Sequence, residues 1–221
     1  ARNIADVRPL FEWMPVVLIF LCASLTMRMW SEERQHGTLE HILTQPASLW
    51  QFVVGKFWAC LTLLIVAVIS TLPLPITVAL IANLDWGPVF GGYLATLLLG
   101  AAYLAIGLFM SARTENPIVS LITTVVFCSV LYLLGSTMFT GFFEDRTGEI
   151  LRLLGSGSRF ESINRGIIDL RDLLYFFSLT LAFLALVCLR LLVAIFALRA
   201  LATVVQKVLL TRVAQRTAAD L

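Results

Sequence analysis

Residues 52–81 read FVVGKFWACLTLLIVAVISTLPLPITVALI, with Lys56 as their one charged side chain. Wound as an α-helix at 1.5 Å per residue, this stretch reaches about 45 Å, well beyond the roughly 30 Å hydrocarbon core of a bilayer. A run so long and so apolar belongs in lipid. Four further segments, 13–29, 89–112, 118–136 and 173–198, are also apolar enough to cross. Of the 221 residues, 59% are apolar and 14% charged, whereas a soluble domain carries about a quarter charged residues. Mean hydropathy is +0.92. The expected fold is therefore all-α, a single polytopic transmembrane bundle with five spans in this chain.

Local signals mark the ends of these spans. Ser48 followed by Gln51 is a capping-box pattern and predicts a helix start just before Phe52. Pro73 and Pro75 fall in the far half of the long run, where they kink or end the helix. Lys56 is expected at the interface, its stem buried and its ammonium among the headgroups.

Orientation follows from lysine and arginine in the short connections. Arg34, flanked by Arg28 and Lys56, lies between the first two spans, Arg113 follows the third, and residues 82–88 carry no basic residue. This predicts that segment 31–50, Arg113 and the tail 199–221 face the cytoplasm. Residues 1–12 then come out on the outer face, which leads us to expect one more span upstream of Ala1, six in the full subunit. The connection 137–172 is also outside, despite five arginines, because it is long and carries six acidic residues. Its apolar spacing (Ile150, Leu151, Leu153, Leu154, then Ile163, Ile167, Leu170) predicts short amphipathic helices at the outer interface. Gly155-Ser156-Gly157-Ser158 is expected to separate them, and Asp172 to cap the last span. The tail, with Lys207, Arg212 and Arg216, is either an amphipathic helix on the inner leaflet or an irregular end.

The most informative polar stretch is Ser31-Glu-Glu-Arg-Gln-His-Gly-Thr-Leu-Glu-His-Ile-Leu-Thr-Gln-Pro46. Leu39, Ile42 and Leu43 form a small apolar face among Glu32, Glu33, Arg34 and Glu40, with Gly37 and Pro46 interrupting the helix. Residue chemistry alone leaves two readings, a solvated connector resting on the membrane or a docking surface for a soluble partner.

Absences narrow the function. No GxxxxGK[ST] loop is present, so nucleotide must be handled by another polypeptide. The spans hold no interior Asp or Glu with which an ion-driven carrier would bind its ion. His36 and His41, the only histidines, are five apart, which is not a helical metal pair, and the four cysteines show no CxxC spacing. No cluster of polar residues suggests an intramembrane enzyme. A net charge of +2 without a basic block gives no sign of nucleic acid.

Several motifs in order resemble a family. Glu33-Arg34, Gly37-Thr38, Glu40, Leu43 and Pro46, then Gly55-Lys56-Phe57, look like the pattern that ABC-2-type exporter permeases carry after their second span. Gly91-Gly92-Tyr93, Ala105-Ile106-Gly107, Phe160-Glu161-Ser162 and the run Arg165, Gly166, Asp169, Arg171, Asp172 continue the resemblance, which is nearest the gliding-motility-type branch and covers about Pro9 to Arg190. The resemblance implies a multi-pass subunit of a bacterial-type inner (plasma) membrane that dimerises with a second permease subunit. It implies a separate cytoplasmic ABC ATPase that holds ATP and Mg, with no cofactor and no catalytic group in this chain. Glu33, Arg34, Gly37, Thr38, Glu40, Leu43 and Pro46 would form the ATPase contact. Phe160, Arg165, Gly166, Asp169, Arg171 and Asp172 would form an outer-face motif before the last span. The alternative is a membrane scaffold that recruits a cytoplasmic partner without transporting anything.

Overall fold

The computed structural model of the protein describes residues 4–5, 8–38, 48–81, 83–136, 153–166 and 169–219. Within them run α1 (Arg8–Thr26), α2 (Ser31–Gln35), α3 (Leu49–Ile69), α4 (Pro73–Ile81), α5 (Trp86–Arg113), α6 (Pro117–Gly135), α7 (Ser156–Asn164) and α8 (Leu170–Ala219). Two-residue strands β1 (Ile4–Ala5) and β2 (Asn83–Leu84) pair in parallel, Ile4 opposite Asn83. Among the described residues five stretches are long and apolar enough to span a membrane: Pro9–Gln35, Leu49–Ile81, Trp86–Arg113, Pro117–Gly135 and Leu170–Ala197. The fold is the expected all-α polytopic bundle.

Helix boundaries follow from caps and prolines. The Ser48 N–H donates to Gln51 Oε1 at 3.1 Å, opening α3. Asp85 and Asn116 accept from the N–H groups of Gly87 and Ile118, at 3.1 and 2.9 Å, opening α5 and α6. The long run breaks where proline demands it. Pro73 has no N–H for a carbonyl one turn back, so α3 ends at Ile69 and α4 starts at Pro73.

Helix α5 is the central pillar. It packs against α1, α3, α6, α7 and α8, and two-thirds of its apolar window is buried. In lipid the hydrophobic effect does not hold helices together, so close backbone approach has to. Gly92, Gly100 and Gly107 supply it by admitting the Phe11 ring, Leu64 and Thr26 respectively. A Cβ on Gly107 would lie 2.1 Å from Thr26 Oγ1. Phe11, Leu18, Cys22 and Thr26 on α1 recur at helical spacing and are buried, while Trp13, Val17 and Phe20 on the opposite side are exposed.

Helix α7 departs from expectation. Of Gly155-Ser156-Gly157-Ser158 only Gly155 separates, breaking the helix between Leu153-Leu154 and α7, whereas Ser156-Gly157-Ser158 begin α7 itself. Nor does α7 stand apart from the bundle. Its first turn meets the backbone of Gly135 at the end of α6, where a Cβ on Gly155 would be 2.0 Å from the Gly135 nitrogen. Ser156 Oγ is 3.3 Å from the hydroxyl of Tyr103, which lies ~25 Å along α5 from Trp86. At its other end, the Ile163 carbonyl abuts Gly91. So α7 inserts between α5 and α6, burying Phe160 and Ile163, because glycine lets backbones meet where side chains would hold them apart.

Helix α8 also outruns its expected end at 198. Its backbone stays helical over 50 residues to Ala219, about 75 Å. The choice between a helical and an irregular tail therefore falls to helix. Residues 137–152, 167–168 and 39–47 lie outside the described residues.

Candidate functional site

At the Arg34 end of the bundle, α1 turns through Met27–Trp30 into the short α2. Its N-cap, Trp30, has no side-chain cap of its own. A side chain from another helix takes that role. Ser111 Oγ, on α5, accepts from the N–H groups of Trp30 and Ser31 at 3.0 and 3.2 Å. Ser111 in turn donates to the Met27 carbonyl at 3.1 Å. Ser31 Oγ reaches the same carbonyl. Both serines are fully buried, so all these groups depend on one another for satisfaction.

Two cations tie α2 to its neighbours. Arg34 Nη1 donates to the Ala112 carbonyl at 2.7 Å, and Nη2 sits 3.8 Å from Glu115 Oε1. From α3, Lys56 Nζ donates to the Glu33 carboxylate and to the Met29 carbonyl. It also lies 3.8 Å from the centroid of the Trp30 ring, which is buried. The Lys56 stem is buried as expected, but its ammonium is held by groups of the chain itself. A carboxylate, a carbonyl and an indole face within one bond's reach outcompete headgroup water for its ammonium. Three helices, α2, α3 and α5, meet in this clamp.

Beyond it the helix ends cleanly. Gly37 takes a φ of +67°, the Gly37 N–H donates to the Arg34 carbonyl at 3.3 Å, and the Thr38 N–H donates to the Glu33 carbonyl at 3.0 Å. That pairing is a Schellman motif, and glycine is the residue that adopts its left-handed turn without strain.

Of the residues expected at the ATPase contact, Glu33 and Arg34 sit in the clamp, and Gly37 and Thr38 are exposed in the turn that follows. Glu40, Leu43 and Pro46, with His41, fall outside the described residues. His36 is exposed at the end of α2.

At the opposite end the expected outer-face residues do not form one cluster. Phe160 is in the core. Arg165 makes an i, i+4 pair with Glu161 at 3.9 Å. Gly166, with φ +84°, turns the chain beside Gly87 and Pro88. The cap of α8 is Asp169, whose Oδ1 accepts from the Arg171 N–H at 3.1 Å. Asp172 was expected to cap, but it lies inside the helix and is held instead by Arg159 at 2.9 Å. Arg159 also stacks over Tyr175, 4.3 Å from the ring centroid, and donates to the Leu153 carbonyl. The Tyr175 hydroxyl donates to the Leu154 carbonyl at 2.6 Å, so α7 and α8 are bolted together here.

Sequence reasoning missed Trp30, Ser111, Glu115, Arg159 and Tyr175. Lys56 offered a signal, since a lone cation in thirty apolar residues calls for a partner. Ser111 offered none.

The arrangement carries no nucleophile with a base. Among the described residues no group of three or more His, Cys, Asp or Glu side chains could hold a metal ion. What the clamp can do is mechanical, fixing the short polar helix α2 rigidly to α3 and α5.

No curated protein and no solved structure matches the chain. A family model described as ABC-2 family transporter protein matches residues 10–198, which takes in the clamp, the pillar α5, the inserted α7 and the apolar part of α8. The chain therefore belongs to the ABC-2 family of transporter proteins.

Proposed function

We propose that this chain is the permease subunit of an ATP-driven exporter, worked by a separate cytoplasmic ATPase through segment 31–50. Its motifs favour the gliding-motility-type branch and the plasma membrane as its site. The observation that carries the reading is the clamp. A segment that merely joined two spans would have no use for Ser111, Lys56 and Arg34 holding its root to α3 and α5. A segment that receives a push needs a stiff root.

In this mechanism ATP and Mg bind to the partner and close its dimer, displacing segment 31–50. Glu33 and Arg34 pass the displacement to α3 and α5 without slack. Since α5 touches α1, α6, α7 and α8 as well, the bundle repacks as a unit. A path opens against a second permease subunit. Free energy enters only from the partner, consistent with the absence of a phosphate-binding loop in the sequence.

The test is reconstitution with a candidate ABC ATPase in vesicles. Glu40→Lys and Leu43→Asp should each weaken ATPase binding by about tenfold or more, the scale of a docking hot spot. Labelling of Thr38→Cys by an impermeant reagent from outside intact cells would overturn the proposal. Intact ATPase binding with no cargo movement under any condition would favour the scaffold instead.

A further inference from the structure

A groove of about 570 Å³ runs between α5 and α6. Ile122, Val126, Phe127 and Val130 on α6 and Met110 on α5 form its walls. Phe127 and Phe109 both meet Phe183 of α8 edge-on, at 5.9 and 5.7 Å, which stiffens the floor. Its two threonine hydroxyls are already satisfied: Thr114 Oγ1 donates to the Met110 carbonyl at 3.3 Å and Thr123 Oγ1 to the Val119 carbonyl at 2.8 Å. They ask nothing of an occupant, so the walls are apolar in effect.

One end differs. Arg113 closes the groove at the last turn of α5, exposed and with no carboxylate partner among the described residues. Its neighbour in sequence, Glu115, is turned toward Arg34. The Phe109 ring, 5.9 Å away, steadies the guanidinium without neutralising it. From Ile122 to Val130 the α6 wall rises about 12 Å, most of the roughly 15 Å hydrocarbon depth of one leaflet. A hydrocarbon-lined slot most of a leaflet's hydrocarbon deep, with an unneutralised cation at its end, fits an amphiphile whose tail is apolar and whose head is anionic.

We infer that this groove holds an anionic phospholipid of the leaflet on the Arg113 side, its acyl chain along α6 and its phosphate on Arg113. The inference stands apart from the export reading, since a bound lipid would be resident whether or not the chain moves cargo.

Purified full chain is equilibrated with vesicles of equimolar phosphatidylglycerol and phosphatidylcholine, re-isolated, and its retained lipid measured by mass spectrometry. Phosphatidylglycerol should be enriched about fivefold, the factor one arginine supplies near an anionic headgroup. Arg113→Gln should bring the ratio to one, Arg113→Lys should keep the enrichment, and Val126→Trp should lower the lipid retained per chain. An unchanged ratio in Arg113→Gln overturns the inference. So does efficient disulfide dimerisation of Ile122→Cys chains in the bilayer, which would give this face to a second copy.

Discussion

Ser111→Ala tests whether the root of segment 31–50 is built as described. The substitution removes one oxygen from a fully buried site and adds nothing in its place. Two N–H groups, of Trp30 and Ser31, lose their acceptor, and the Met27 carbonyl keeps only the Ser31 hydroxyl. Loss of a helix cap costs about 0.5–2 kcal/mol, and leaving a buried donor unmet about 1–3 kcal/mol. The two costs describe the same groups, so they overlap; we expect about 1–3 kcal/mol in total. Because the damage is local, amide hydrogen exchange is the right assay. Exchange at Trp30 and Ser31 should accelerate about 5- to 150-fold, with α6 and α8 little changed. In vesicles with the ATPase, transport per ATP hydrolysed should fall more than hydrolysis itself. Unaltered exchange at both amides would refute the cap, and equal acceleration in every helix would show Ser111 to be a general core residue.

Lys56→Met keeps the stem but strands the Glu33 carboxylate beside the Met29 carbonyl. We expect a loss of about 2–3 kcal/mol, below the figure for fully buried pairs because both side chains retain some exposure, and partial recovery in Lys56→Met with Glu33→Gln, read as unfolding midpoints in detergent. At the other end, Arg159→Met should cost about 3 kcal/mol by leaving Asp172 uncompensated, while Arg159→Met with Asp172→Leu should regain most of it. Gly107→Ala forces a methyl into Thr26 and should cost about 1–3 kcal/mol, with Thr26→Ser giving partial relief in the double variant. Comparable midpoints for Gly107→Ala and the unaltered chain would show that α1 and α5 are not in close contact.

Hydropathy made the spans legible because lipid imposes a length and an apolarity on any crossing helix, and both are properties of a sequence window. Prolines 73 and 75 and the caps at Ser48 and Asp172 were readable for the same local reason, although at the last of these the local rule chose the wrong carboxylate. Asp169 and Asp172 both suit a helix start, and only the position of Arg159, across a turn and on another helix, separates them. The glycine-serine cluster was legible in part, since Gly155 does break the helix before α7. Composition read it as a linker, but Gly155 and Gly157 are there for the approach of Gly135. Ser111 was invisible since one serine at the end of an apolar helix has no pattern; its role arises when α1 folds back against α5. Relations between distant segments are what a single sequence expresses least.

Helix α8 leaves its junction with α7 as an unbroken rod of about 75 Å. The bundle holds it from Phe176 to Ile195, and the stretch beyond magnifies angle into distance. A bend of only 10° at Ile195 would sweep the backbone at Ala219 sideways by about 6 Å. Small repacking where α8 leaves the bundle would thus emerge at its far end as a swing wide enough to make or break contact with another molecule.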